Sequence, residues 1–217
     1  MKKVAVIHTS FVSVNDLKAL FAEIVPEAQI INIVDDSLLP EVIANGGVTS
    51  GVVSRMCMYA LQAQSLGVDL IFNQCSSVGE AFDIASRCVH VPTLKVDQAM
   101  AEKAVQTGTN IHVIATVATT LGPSCRLIEA VAQTQGKHII LTPCLVKGAF
   151  EALTKEGNKE KHNQMVLNSV QNAQTADVIV LAQGSMIALL PRLTDIKTPV
   201  LTSPRLGVER ARVLLVL

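Results

Sequence analysis

The chain has 217 residues, of which 49% are hydrophobic and only 3% aromatic, and its 18 Lys and Arg residues equal its 18 Asp and Glu residues. Balanced charge without long runs of one sign argues against binding to nucleic acid or to an anionic membrane surface. Every apolar stretch is interrupted before the roughly 18 residues that a membrane span needs. We therefore expect a cytoplasmic protein with an aliphatic core.

Short aliphatic runs alternate with longer helical patterns along the chain. Strands without clean apolar–polar alternation are typical of sheets covered on both faces, and regular strand–helix alternation indicates parallel βαβ units. The fold class is therefore predicted as α/β. The predicted strands are 3–8, 28–33, 69–73, 90–94, 111–116, 137–142, 177–182 and 198–202. The predicted helices are 13–24, 47–66, 77–87, 97–107, 120–134, 146–155, 158–174 and 205–214.

The second half of the chain repeats the first. Three pairs of segments match in order at offsets of 107, 108 and 107 residues, namely 4–9 with 112–116, 69–77 with 177–185, and 92–94 with 199–201. Ordered matches at nearly one spacing predict two copies of one structural unit. We expect two pseudo-symmetric lobes, each a short parallel sheet flanked by helices, with the active site in the cleft between them.

The lobe boundary is predicted near the helix at 97–107. Lobe 1 then spans 1–96 and lobe 2 spans 97–202. The C-terminal helix, at about 203–217, is a candidate to return to lobe 1.

Small polar loops follow four of the predicted strands. Ligands of parallel α/β sheets bind at the carboxyl ends of the strands, and helix N-termini with Ser or Thr favour anions. Since the loops contain no Arg, no Lys and no phosphate-binding glycine motif, a small carboxylate fits them better than a triphosphate. The alternative interpretation is that these loop residues are ordinary helix caps. The loops comprise His8, Thr9 and Ser10; residues 73–77; residues 116–120; and Gln183, Gly184 and Ser185.

The five cysteines are an odd number and form no CxxC pair. This pattern predicts neither a disulfide framework nor a zinc site, and no His, Asp or Glu cluster has metal-ligand spacing, so no metal or cofactor is expected. Cys57, Cys88 and Cys125 lie in helical context and are expected to be structural. His162 lies in a polar segment and is expected at the surface.

Cys75 differs from these cysteines because it follows a predicted strand and precedes a predicted helix. A helix N-terminus lowers the pKa of a thiol, and a thiolate can remove a proton α to a carboxylate or act as a nucleophile. The alternative is a buried structural cysteine at the end of a strand.

Three segments resemble loops of the aspartate/glutamate/hydantoin racemase superfamily. Residues 71–77 (IFNQCSS) resemble its first cysteine loop, 116–123 (TVATTLGP) its threonine loop, and 178–186 (VIVLAQGSM) its second cysteine loop. Cofactor-independent racemases of that superfamily use one cysteine from each lobe. The resemblance implies that Cys75 is one of the pair. It also implies six carboxylate-binding residues: Asn73, Ser76, Ser77, Thr116, Thr119 and Thr120.

The chain departs from that superfamily at Gln183, which aligns with Cys75 in the repeat and stands where the second cysteine is found. Glutamine does not titrate, so Gln183 is not a second base. His8 is one substitute, because imidazole can activate Cys75 or donate the second proton. Cys144, which follows the predicted strand 137–142, is another. The remaining loop residues, Thr9, Ser10, Gln183 and Ser185, are interpreted as contacts to the substrate.

Three functions remain open. The first is a racemase or epimerase acting at the carbon α to a carboxylate of a small amino acid or related acid, with Cys75 as the acid–base. The second is a single-cysteine decarboxylase or cis–trans isomerase of a small dicarboxylate. The third is a catalytically silent carboxylate-binding protein. The expected partner is a small carboxylate, and a homo-oligomer is possible.

Overall fold

The computed structural model describes residues 1–215, and in this part of the chain eight strands form two four-stranded parallel sheets. The first sheet has the order β2-β1-β3-β4 and the second has the order β6-β5-β7-β8. The two orders are equivalent, as the sequence repeat predicts. The strands are β1 Lys3–His8, β2 Gln29–Val34, β3 Leu70–Asn73, β4 Thr93–Lys95, β5 Asn110–Ala115, β6 Ile140–Leu145, β7 Val178–Leu181 and β8 Val200–Thr202.

Helices connect the strands in both sheets. They are α1 Val14–Ile24, α2 Leu38–Asn45, α3 Ser50–Ser65, α4 Gly79–Ala85, α5 Gln98–Thr107, α6 Ala118–Thr134, α7 Ala149–Thr154, α8 Lys159–Asn172 and α9 Ser203–Leu214. Within residues 1–215, three 3₁₀ segments span Ser76–Val78, Ser86–Cys88 and Gly184–Arg192. Each helix in the described part of the chain is too short or too polar to cross a bilayer.

The chain divides into two units. The first consists of Met1–Gln98 together with the segment that begins at Pro204, and the second is Ala99–Ser203.

Both faces of the first sheet are covered by apolar side chains. Val4 and Val6 point into a cluster with Phe21 of α1 and Val208 of α9, whereas Ala5 points to the opposite face. This two-sided burial explains why β1 reads as a continuous aliphatic run rather than an alternating one.

The approach of α9 to the first sheet depends on Gly207. A Cβ atom at this position would lie 2.6 Å from the carbonyl oxygen of Val96 and 3.2 Å from Phe72 Cζ. A larger residue would therefore displace α9 from the end of β4.

The second unit has a core of the same kind, in which Ile114, Ile179 and Leu181 of the sheet pack against Val166 of α8. His162 lies one helical turn before Val166 and is only 3% exposed. The expectation that His162 lies at the surface is therefore wrong, since only its neighbours in sequence occupy the exposed face of α8.

Two short helical segments were not predicted, α2 and the 3₁₀ segment Gly184–Arg192. Helix α2 ends at Gly46, whose φ of 68° is the left-handed conformation that glycine adopts at helix ends. The predicted helix 47–66 accordingly begins only at Ser50, after Thr49, whose hydroxyl accepts a 3.2 Å hydrogen bond from the Val52 N–H.

Strand β6 lies three residues further along the chain than predicted. The predicted strand ended at residue 142, whereas the observed strand continues through Pro143, which lies opposite Val113. Strand β6 is at the edge of its sheet, where the missing N–H of proline is tolerated.

Candidate active site

The carboxyl ends of β1 and β3 bring together His8, Thr9 and the loop that contains Cys75. The two strands are hydrogen-bonded neighbours, and the register continues past their ends because the Gln74 N–H donates to the Ile7 carbonyl at 3.0 Å. His8, Thr9 and Asn73 are buried, and Cys75 is half-buried. The predicted proximity of these loops within the first sheet is thus present in the structure.

Cys75 is surrounded by hydrogen-bond donors. The Thr9 hydroxyl, the Ser77 hydroxyl and the backbone N–H groups of Ser77 and Val78 all direct hydrogen bonds at its sulfur. The backbone donors come from the 3₁₀ turn Ser76–Val78, which is inserted between the strand and α4. Such donors stabilise a thiolate and also any negative charge that develops beside it.

Burial nevertheless raises the pKa of the Cys75 thiol, because the cost of desolvating the thiolate exceeds the contribution of Thr9, Ser77 and Val78. The expected lowering by a helix N-terminus is therefore wrong. The residue that follows Cys75 begins a short 3₁₀ turn rather than an α-helix, and the macrodipole of one turn is small. The Cys75 thiol is consequently less acidic than an ordinary cysteine.

Asn73 holds the cysteine loop in its conformation. Its Nδ2 donates to the Cys75 carbonyl at 3.0 Å, and its Oδ1 accepts from the Cys75 N–H at 3.4 Å. Both ends of the side-chain amide thus bond to the backbone of the residue that carries the thiol. Direct binding of a carboxylate by Asn73 stays a prediction.

His8 ends β1 and is completely buried. One ring nitrogen, Nε2, lies 3.0 Å from Oδ1 of Asn32, an oxygen that only accepts, and this contact assigns the proton to Nε2. Among residues 1–215 the buried Nδ1 has no hydrogen-bond partner. Burial lowers the pKa of His8, against a smaller opposing effect of Asn32. His8 is therefore a neutral imidazole with a free lone pair on Nδ1.

Asp97, which was not among the predicted site residues, also lies at this end of the first sheet. It follows β4 by two residues, it is 4% exposed, and it shares a hydrogen bond with the side chain of Ser76. Burial raises its pKa, although Ser76 and Lys95 lower it, and its Oδ1 has no partner. Asp97 could have been identified as a site residue from its position just beyond a strand that neighbours β3. However, β4 was predicted to end before Lys95, which left Asp97 further from the end of the strand.

The carboxyl ends of β5 and β7 in the second unit carry an equivalent pair, Thr116 and Gln183. The Thr116 N–H and hydroxyl donate to Gln183 Oε1 at 2.6 Å and 2.9 Å. Thr116 is buried and Gln183 is half-buried. The repeat prediction that Gln183 follows β7 as Cys75 follows β3 is thus reproduced by the structure.

The remaining predicted contacts differ in accessibility. Ser76, Ser77 and Thr120 are buried, Ser10 and Thr119 are half-buried, and Ser185 is exposed. The Thr119 Oγ1 atom is buried without a partner. Helix α6 begins at Ala118, so Thr119 and Thr120 lie within its first turn rather than before it.

Cys144 does not follow a strand as predicted. It is the fifth residue of β6, lies opposite Ile114, and packs half-buried against the apolar cluster of the second unit. This placement favours a structural role for Cys144. Among residues 1–215, no group of three or more His, Cys, Asp or Glu side chains is arranged to hold a metal ion.

A model of the Asp/Glu/hydantoin racemase family matches residues 7–211 of the sequence. A search of curated proteins gave no match.

Solved structures share the fold over nearly the whole chain. A Yersinia pestis protein described provisionally as an Asp/Glu racemase is 17% identical, with 100% of each chain covered and a TM-score of 0.78. The aspartate racemase of Picrophilus torridus is 13% identical, with 99% of this chain and 94% of that chain covered and a TM-score of 0.73.

An arylmalonate decarboxylase mutant, in which a glycine was replaced by cysteine and a cysteine by serine, has the same fold in its liganded form. It is 16% identical, with 100% of this chain and 93% of that chain covered and a TM-score of 0.65. At these identities the likenesses establish the fold.

Proposed function

Because the chain belongs to the Asp/Glu/hydantoin racemase family, we propose that it is a cofactor-independent isomerase of the racemase or epimerase type. Its substrate is the carboxylate of a small amino acid or related acid, and the reaction takes place at the carbon α to that carboxylate. The family resemblance read from the sequence is confirmed by the match over residues 7–211. The type of reaction and the class of substrate are what we propose.

The observation that carries this proposal is the set of donors around Cys75. In the proposed reaction the Cys75 thiolate takes the α-proton, the electron pair of the C–H bond passes into the carboxylate, and an enediolate forms. Hydroxyl and N–H groups that already point at this position stabilise the developing charge without having to reorganise. The raised pKa of Cys75 suits the return step, because a thiol that keeps its proton readily donates it to the enediolate.

The proposed two-base reaction requires a second group that carries a proton. Gln183 does not titrate, so a two-base reaction needs another group. His8 is the candidate that the contacts favour, since it is neutral and its Nδ1 lone pair is unused. Cys144, which packs in an apolar cluster, is the weaker candidate.

The carboxylate clamp is proposed to consist of hydroxyl and amide groups from the strand-end loops. Thr9, Ser77 and Thr116 supply donors that are buried and already directed at Cys75 or Gln183. Ser10, Ser76, Thr119, Thr120 and Ser185 complete the proposed set. Small loop donors bind a carboxylate without the large desolvation penalty of a buried lysine.

A single-cysteine lyase or cis–trans isomerase of a small dicarboxylate is the second candidate. The contact between Thr116 and Gln183 favours it, because Gln183 Oε1 is fully engaged and only the Nε2 donor remains for a ligand. A chain with one thiol at a strand end and an amide at the equivalent position of the repeat suits protonation of an enediolate by a single group. The third candidate, a carboxylate-binding protein without catalysis, uses the same amide as a ligand contact.

The deciding experiment is α-hydrogen exchange in D₂O, followed by NMR on L- and D-amino acids, malonates and maleate. We expect deuterium to enter one substrate with the wild-type protein and to be lost at least about 100-fold with Cys75→Ser. Cys125→Ser is the matched control, because Cys125 is half-buried in α6 and has no part in the proposed site.

Each of the other possible results favours a different interpretation of the protein. Exchange of both enantiomers at the wild-type rate in Cys75→Ser overturns the assignment of Cys75. Loss of CO₂ or of a double bond, without exchange in amino acids, selects the single-cysteine alternative. Saturable binding without any exchange selects the binding protein. Comparing His8→Gln with Cys144→Ser then identifies the second proton carrier, since only the true carrier should eliminate exchange of one enantiomer while sparing the other.

A further inference from the structure

Cys57 and Cys88 lie in direct contact. Cys57 is on α3, and Cys88 ends the 3₁₀ turn Ser86–Cys88, which packs against α3. The Cys88 thiol is close enough to Cys57 to raise its pKa. The sequence predicts two separate structural cysteines, because they lie 31 positions apart and no spacing motif joins them.

The two thiols have different environments. Cys57 is half-buried and packs against the apolar cluster that contains Met56 and Ala60. Cys88 is exposed, and its sulfur lies 3.8 Å from the Ile84 carbonyl. A small oxidant therefore reaches Cys88 directly, and the product of that attack lies next to a second thiol. This arrangement of an accessible cysteine and an adjacent resolving cysteine is the one that redox-sensitive pairs require.

We propose that Cys57 and Cys88 are a modification site that forms a reversible intramolecular disulfide when the protein meets a peroxide. The Cys88 thiolate attacks one peroxide oxygen, the O–O bond breaks, and Cys88 becomes a sulfenic acid while hydroxide leaves. The Cys57 sulfur then displaces the sulfenic oxygen as water, with loss of the Cys57 proton. Two thiols are oxidised, the peroxide is reduced, and the products are one disulfide and two molecules of water.

Cys57 suits the second step better than the first. Burial raises its pKa, and so does the neighbouring Cys88 thiol. A protonated, half-buried thiol reacts slowly with free peroxide but is already placed to resolve a sulfenic acid that it touches.

The cross-link would close a loop that contains β3 and the whole Cys75 segment. Closing a loop of this length restricts the unfolded chain and raises thermal stability, provided that the bond forms without strain. The oxidised protein is therefore expected to unfold at a temperature several degrees above that of the reduced protein. The increase should disappear on treatment with dithiothreitol.

The test is mild hydrogen peroxide treatment of the full chain, then alkylation with N-ethylmaleimide under denaturing conditions and intact mass measurement. The reduced protein should take up five maleimides, one for each cysteine. The oxidised protein should take up three, and peptide mapping should find one disulfide-linked peptide pair that contains Cys57 and Cys88.

Variants make the outcome decisive. Cys88→Ser replaces an exposed side chain, so its folding should be unaffected, and it should take up four maleimides with or without peroxide. Cys125→Ser should still form the disulfide. The proposal is overturned if wild-type Cys88 accumulates as sulfinic acid while Cys57 stays alkylatable, or if the linked pair includes Cys75, Cys125 or Cys144.

Discussion

The Thr116 backbone N–H and hydroxyl both donate to a single atom, Oε1 of Gln183, at 2.6 Å and 2.9 Å. In the first unit the Thr9 hydroxyl donates in the same way to Cys75. Thr9 corresponds to Thr116 in the repeat, and Cys75 corresponds to Gln183. The amide oxygen of Gln183 therefore occupies the acceptor role that a thiolate has in the other unit, while its Nε2 adds a donor that a thiolate lacks.

This correspondence predicts the effect of Gln183→Cys. A thiol at residue 183 would meet the donors of Thr116, which are already directed at its position, and we expect the rate of α-hydrogen exchange on both enantiomers to rise. Exchange in D₂O with each separate enantiomer is the measurement. Gln183→Ala is the control, since it removes the amide without supplying an acid or base.

A gain with Gln183→Cys but not with Gln183→Ala would support the two-base reaction. Equal rates in both variants and the wild type would contradict either the functional equivalence of Cys75 and Gln183 or the two-base reaction itself.

Thr9 should tune the acidity of Cys75. Thr9→Val keeps the shape of the side chain but deletes the hydroxyl that donates to the sulfur, so the pKa of Cys75 should rise further. The pH profile of Cys75 alkylation by iodoacetamide should move to higher pH, and catalysis should fall about 10-fold or more at neutral pH.

Thr109→Val is the matched control for this change, because Thr109 lies at the opposite end of the second sheet, next to Asp177. An unchanged alkylation profile in Thr9→Val would show that burial and the donors of Ser77 and Val78 alone set the acidity of Cys75.

The central strands β1, β3, β5 and β7 were predictable from the sequence because they are short, mostly aliphatic runs, and the repeat itself shows that β5 and β7 duplicate β1 and β3. The edge strand β6, which contains Pro143, lies three residues from its predicted position. The contacts of the candidate site were not predictable from the sequence. The acidity of Cys75 depends on the balance between desolvation and four hydrogen-bond donors, and both depend on contacts that form only in the folded chain. Asp97 was missed because its burial follows from the path of the chain after β4, and no motif marks it.

Asp97 makes a pH-dependent contribution to folding. Its pKa is raised in the folded state by burial, so above the ordinary value of about 3.8 the unfolded chain releases a proton that the folded chain retains. Stability from this group is thus present at acid pH and is lost as pH rises through the folded pKa. Asp97→Asn removes the titration and should lose less stability between pH 4 and neutrality than the wild type does.

Thermal unfolding of wild type and Asp97→Asn across this range is the measurement. Lys95 and Asp83 also act on Asp97, lowering and raising its pKa respectively, so Asp83→Asn serves as a control for charge alone. Parallel stability curves for wild type and Asp97→Asn would show that Asp97 is ionised in both folded and unfolded states.

His8 should have the opposite pH dependence. Burial lowers its pKa in the folded state, so its contribution to stability is complete above the unfolded value of about 6.5 and is lost as pH falls through the folded pKa. His8→Gln cannot titrate, and its unfolding temperature should therefore decline less than that of the wild type when pH is lowered from 7 towards 5.

The control is His112→Gln. Burial also lowers the pKa of His112, which has no part in the proposed site, so this variant should flatten the stability curve without changing the rate of α-hydrogen exchange. If His8→Gln flattens the curve and also abolishes exchange of one enantiomer, the same neutral imidazole that costs stability in acid is the second proton carrier. If only the curve changes, His8 is a structural histidine and is not the second proton carrier.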